Sequence, residues 1–124
     1  MKHLKYVITE TGKIYFGYVE FHDDIRTGYK IKDKIVGGGF FSIDKENKSI
    51  KLFGRSVDYG MPRISDLNKM LKNKEELNNS LNSLYFVVSH LLNDLDTEYN
   101  DFKFNFSSEY KWKLVILTSF LYVI

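Results

Sequence analysis

The chain has no cysteine, and that single absence excludes disulfides, iron–sulfur clusters and thiolate zinc sites. It has one proline, Pro62, which marks a stop before a helix start. Its three histidines, His3, His22 and His90, lie far apart and show no metal-ligand spacing, so no metal and no cofactor is expected. A net charge of +2 is too small for a nucleic-acid-binding face, and no nucleic-acid partner is expected. No apolar run reaches the roughly 20 residues of a bilayer span. The apolar stretch 112–124 falls short of it, and MKHLKYVITE is no signal peptide, so the expectation is a cytoplasmic protein with no membrane partner.

What is present is a hydrophobic fraction of 44% and an aromatic fraction of 16%, over 124 residues. That is enough for one domain, 1–124, with a single core. The first half, 1–62, has strand character. Tyr6–Thr9 and Ile14–Phe21 are β-branched and aromatic runs separated by a turn at Thr11–Lys13. Asp23-Asp24 and Thr27-Gly28 punctuate a connection with room for one helical turn. Lys34–Val36 leads into Gly37-Gly38-Gly39 and Phe40–Ile43. A polar hairpin loop, 44–48, precedes the alternating strand Ser49–Gly54.

The second half, 63–124, changes period. Ser65 is the expected N-cap of a helix carrying Leu67, Met70 and Leu71. Leu77, Leu81, Leu84, Tyr85, Val88, Leu91, Leu92 and Leu95 recur at helical spacing, which predicts an amphipathic helix over 75–95. A polar connection, 96–105, follows. Ser107-Ser108-Glu109 then opens an apolar segment, 110–122, open to helix or strand, that must be buried in the core or in a partner subunit. The expected fold is α+β: an antiparallel or mixed sheet followed by two to three helices. A homo-oligomer through the helical half is the expected assembly.

Chemistry concentrates between Gly37 and Gly60. Three successive glycines suit either a close approach of backbones or an anion-binding concavity of N–H groups. Gly54-Arg55-Ser56-Val57-Asp58-Tyr59-Gly60 leaves the last strand with a hydroxyl and amides suited to a phosphate oxygen. Arg55 and Arg63 are nearby cations, and Tyr85 or Phe86 is a candidate stacking surface for a base. Asp23 and Asp24 are turn residues in this reading.

The triple glycine, the Gly-x-Ser-x-x-Tyr-Gly segment fourteen residues later, Leu4-Lys5-Tyr6-Val7 and Glu20-Phe21-His22-Asp23-Asp24-Ile25 together resemble the phosphohistidine phosphatases and Janus/Ocnus proteins over about residues 5–64. The resemblance implies that Lys5 is a phosphate-binding cation, that His22 is the base or nucleophile, and that Ser56 and the backbone around Asp58 hold phosphate oxygens. It also implies an arginine directly after the glycines, where this chain has Phe40, and a small residue where it has Asp58. One cation fewer and one anion more weaken stabilisation of a phosphoryl transition state. Ser56-x-x-Tyr59, then Pro62–Asp66 and a helix, also resembles small phage and prophage proteins, among them a Thoeris anti-defence family. That implies sequestration, without cleavage, of a nucleotide-derived signal of the cyclic ADP-ribose type in a bacterial host. Phosphatase action through His22 and Lys5, and an interaction role without a small ligand, are the alternatives.

Overall fold

The computed structural model describes residues 1–110. Strands β1 (His3–Thr9), β2 (Ile14–Val19), β3 (Ile35–Asp44), β4 (Ser49–Phe53) and β5 (Lys103–Phe106) form one sheet in the order β2-β1-β3-β4-β5. All neighbours are antiparallel except β4 and β5, which are parallel. Helix α1 (His22–Tyr29) follows β2, and α2 (Ile64–Lys72) and α3 (Lys74–Val88) follow β4. The fold is α+β, as the two periods in the sequence predict.

Strand alternation sorts the side chains onto two faces. Tyr6, Ile8, Ile14, Phe16, Phe41, Ile50 and Leu52 point to one face. There Leu67 and Met70 of α2 and Leu81, Leu84 and Val88 of α3 cover them. Val7, Ile35 and, from α1 and its exit, Ile25 and Ile31 make a smaller cluster on the other face. Helix α1 lies over β1 and β2, with its first residue reaching β3; a Cβ on Gly17 would come within 2.9 Å of Ile25 Cγ1.

Several local expectations change. The connection around Asp23–Gly28 is an eight-residue helix, His22–Tyr29, longer than the single turn expected. Asp24 accepts the Phe21 amide at 2.9 Å, and acids in a first turn suit the positive end of the helix. Helix α2 starts after Arg63, whose amide goes to Asp66 Oδ2 at 3.1 Å, so Ser65 lies inside the helix and is not its cap. Helix α3 ends at Val88, leaving Leu91, Leu92 and Leu95 exposed. The triple glycine sits within the continuous strand β3. Within the polar connection, Lys103–Phe106 joins the sheet as β5, so the second half is not purely helical. Of the apolar segment 110–122, only Tyr110 falls within the described residues. It is buried, and its hydroxyl meets that of Tyr6 at 2.9 Å.

Candidate phosphoryl site at the start of helix α1

The three glycines allow three backbones to close on one another. A Cβ on Gly37 would sit 2.6 Å from Pro62, one on Gly38 would sit 2.6 Å from Tyr6 O, and one on Gly39 would sit 2.5 Å from Phe53 O. Gly38 N–H is donated to Gly60 O and Gly38 O accepts Ser56 N–H, both at 2.9 Å. The glycine segment is therefore spent on packing and pairing, and of the two uses open to it the structure shows close approach.

That close approach brings His22 over β3. As the first residue of α1 it is 4% exposed, and its Nε2 meets Gly39 O at 2.8 Å. A carbonyl only accepts, so Nε2 carries the hydrogen and Nδ1 is left with a lone pair. Nδ1 has no hydrogen-bond partner among the described residues. Burial, reinforced by the nearby Lys5 charge, lowers the His22 pKa below its ordinary 6.5, against opposing contributions from the Gly39 bond and Asp58. The ring is therefore neutral at pH 7.

Lys5 stands on the same sheet face, opposite Gly17 on β2 and Phe40 on β3. It is 8% exposed, its ammonium is donated to Glu20 O, and it lies 5.7 Å from the centre of the Phe40 ring. Phe40 touches His22 edge-on, with centroids 5.7 Å apart. It thus occupies the position beside both groups where the resembled phosphatases carry arginine.

The turn after β4 forms the third side. Gly54 and Gly60, at φ +68° and +77°, allow the chain to reverse. Ser56 is buried, and its Oγ accepts the amides of Asp58 and Tyr59, both at 3.1 Å. Those two amides are therefore committed inside the turn. The Val57 amide, on the exposed crest, has no partner among the described residues, and neither does the Ser56 hydroxyl proton. Asp58 is exposed at the rim. Tyr59 hydroxyl is donated to Asp23 Oδ1 at 2.7 Å, and Arg26 Nε reaches the same oxygen at 2.7 Å. These two partners hold the Asp23 carboxyl at a pKa of about 2.

The structure thus gathers Lys5, His22, Gly38, Gly39, Ser56 and Asp58 at one place, with Gly37 packed on Pro62 beside them. Arg55 is exposed next to Ser56 and has no ion partner among the described residues. Arg63 is engaged with Asp66 at 3.1 Å. Tyr85 and Phe86 belong to α3 on the opposite face of the sheet, where both line a cleft with residues 95–100. Val57, Tyr59 and Asp23 enter the sequence reading only as members of motifs, with no site role, and Arg26 does not enter it. Only the spacing of Tyr59 behind Ser56 signalled any of them, because hydrogen bonds between α1 and a turn 36 residues away leave no periodic trace.

The Janus/Ocnus family profile matches residues 5–78, more than half of the chain. The chain belongs to the Janus/Ocnus family. The matched span runs from Lys5 through α1, the triple glycine and the Ser56 turn into α3, so the site and the elements that build it lie inside the Janus/Ocnus region. No curated protein matches the chain. Among the described residues no group of three His, Asp or Glu side chains is arranged to hold a metal, and no helix is long and apolar enough to cross a membrane.

Proposed function

We propose that this Janus/Ocnus chain recognises a phosphoryl group at Lys5, His22 and the crest of the 56–60 turn, and that His22 acts on it as a base. The observation that carries the reading is the Nε2–Gly39 O bond, which fixes the tautomer and leaves the Nδ1 lone pair without a hydrogen-bond partner among the described residues. Lys5 supplies the adjacent positive charge, and the Val57 amide and Ser56 hydroxyl supply hydrogens for phosphoryl oxygens. The chemistry that fits is hydrolysis of a P–N bond, as in phosphohistidine. Nδ1 takes a proton from water, and the water oxygen bonds to phosphorus. The P–N bond breaks, and the leaving nitrogen takes the proton back from His22.

Phe40 supports a second reading, binding without turnover. An arginine beside Lys5 would neutralise charge developing on the transferred group, and a phenyl ring cannot. In that reading the same cradle sequesters a nucleotide-derived ligand, as an anti-defence protein of the Thoeris type does with a cyclic ADP-ribose-type signal. Phosphorus NMR of the protein with a phosphohistidine peptide separates the two. Release of inorganic phosphate that disappears in His22→Asn supports the hydrolase. Stoichiometric binding with the ligand recovered intact supports the binder. A Lys5→Met variant is expected to lose phosphate affinity by on the order of tenfold or more in either case. If it binds as the parent does, the site is elsewhere.

A further inference from the structure

One half of the sheet face that carries His22 is bare. Helix α1 covers β1 and β2, His22, Ser56 and Pro62 cover β3 at its glycines, and the His3 and His22 rings meet one side of Phe40; beyond that, nothing among the described residues covers the same face of β3, β4 and β5. The ladder registers place Phe40 and Ser42 of β3 there, with Phe53 and Lys51 of β4 and Lys103 and Asn105 of β5. Ser42, Lys51, Lys103 and Asn105 are exposed, and Phe40 and Phe53 are half-buried. The two phenyl rings are directly cross-strand, 5.9 Å apart and inclined by only 25°. Stacked on each other, they form an apolar step beginning where the His22 and Lys5 site ends. Gly54 keeps the step open, since a Cβ there would lie 2.8 Å from Phe40 Cδ2.

The charges of this half fit an anion. The side chains of Lys51, Lys103 and Arg55 have no hydrogen-bond or ion-pair partner among the described residues. Of the acids in this half, Asp44 is taken up by Asn47 at the far end of the strands, Asp101 is paired with Lys48, and Asp58 stands at the rim of the turn. An aromatic pair on neighbouring strands, flanked by lysines and short polar side chains, is the arrangement by which open sheets stack nucleobases. Phe40 is also within 5.7 Å of both the Lys5 ammonium and the His22 ring, about the span of one sugar.

We propose that Phe40 and Phe53 form a nucleobase subsite, so that the phosphoryl group held at Lys5 and His22 belongs to a nucleotide. This deepens the phosphoryl reading above and rests on it. The base lies on the phenyl step, the sugar bridges toward Lys5, and Lys51 and Arg55 stand ready for a further phosphate. Phe40 thus acquires a use in place of the missing arginine.

Calorimetry with inorganic phosphate, ribose 5-phosphate and AMP tests it. AMP is expected to bind about 10- to 100-fold more tightly than ribose 5-phosphate. Phe40→Ala and Phe53→Ala should each erase most of that difference while leaving phosphate binding intact. Phe40→Trp should restore or increase it, which guards against a folding defect in the alanine variants. If AMP binds no better than ribose 5-phosphate while both bind, the subsite is wrong and the phosphoryl reading stands. If phosphate itself does not bind, both fall. Tight binding of oligothymidylate without binding of AMP would overturn the mononucleotide assignment in favour of a single-strand platform.

Discussion

Tyr59 and Asp23, 36 residues apart in sequence, are joined by a 2.7 Å hydrogen bond that fastens the turn after β4 to the first turn of α1. The bond ties the neighbour of His22 to the segment carrying Ser56 and the Val57 amide, so it sets the width of the space between base and oxyanion donors. Tyr59→Phe removes only that hydroxyl. The expected result is phosphoryl-ligand affinity weakened about two- to tenfold, with any catalytic rate at saturation nearly unchanged. A variant that loses turnover at saturation while keeping its affinity would instead place Tyr59 in the chemistry.

The depressed pKa of His22 has a consequence for stability. In the unfolded chain the ring titrates near its ordinary 6.5, while in the fold burial lowers the value. Between the two values the unfolded state binds more protons, so stability rises with pH there. The contribution is complete above 6.5 and is lost as pH falls through the folded value. Urea melts at pH 7.5 and 5.0 are expected to show a larger loss for the parent than for His22→Asn, which has no proton to gain. Equal losses in both would mean that the ring is not buried as described.

Gly38→Ala tests the close packing of β3. Its Cβ would meet the backbone oxygen of Tyr6 at 2.6 Å, and the nearest side-chain atom is the His22 ring at 3.2 Å. Backbone of a central strand cannot move aside cheaply, so a destabilisation of about 1–3 kcal/mol is expected. Gly28→Ala is the control, since nothing lies within 4 Å of the added carbon. In that helix the change is expected to stabilise slightly. Thermal melts of the two variants should move in opposite directions.

Assembly is expected to involve the end of α3. Phe86, 79% exposed, and Leu95, 63% exposed, flank Leu91 and Leu92 at the surface. With the apolar sequence 112–124, this gives a half of the chain that favours association with a second copy. Light scattering at micromolar concentration is expected to give at least a dimer. A clean monomer would reject this, and Phe86→Lys with Leu95→Lys should lower the mass.

The period of the apolar residues made the alternation of β1, β3 and β4 and the buried faces of α2 and α3 legible, because those elements are defined by local pattern. Helix α1 was less legible. Its Thr27-Gly28 pair resembles a turn, but Ile25 on Gly17 and the bond from Asp24 to Phe21 hold the helix through it. Ser65 is a good cap by type, yet the Asp66 carboxylate one residue later takes the Arg63 amide and moves the start. Lys103–Phe106 has only four residues and is surrounded by polar ones. Its strand state comes from pairing with β4, which no local window contains.

At the site, Lys5, His22 and Ser56 could be found because the Janus/Ocnus motifs keep their order and spacing. Phe40 was visible as a departure from the pattern, but its stacking on Phe53 depends on the register between β3 and β4. Tyr85 and Phe86 looked suitable by residue type alone, but both belong to α3, and Phe86 reaches α1 only around the β2 edge, beside Asp24, Ile25 and Gly28 and not beside His22. Residue type can nominate a partner; only the strand order says which side it is on.

The parallel pairing of β5 with β4 also sets a timetable. Hairpins β1–β2 and β3–β4 close over short loops, but β5 must return across α2 and α3, and Tyr110 must reach Tyr6 across 104 residues of chain. On a ribosome the sheet would emerge with one flank unpaired. The Tyr6 hydroxyl, in the centre of the core, would stay without this partner until residues 103–110 had cleared the exit tunnel. The β4 edge therefore stays open to neighbours from the emergence of Ser49–Phe53 until that of Lys103–Phe106, a period in which a chaperone, or a second nascent copy, can claim it.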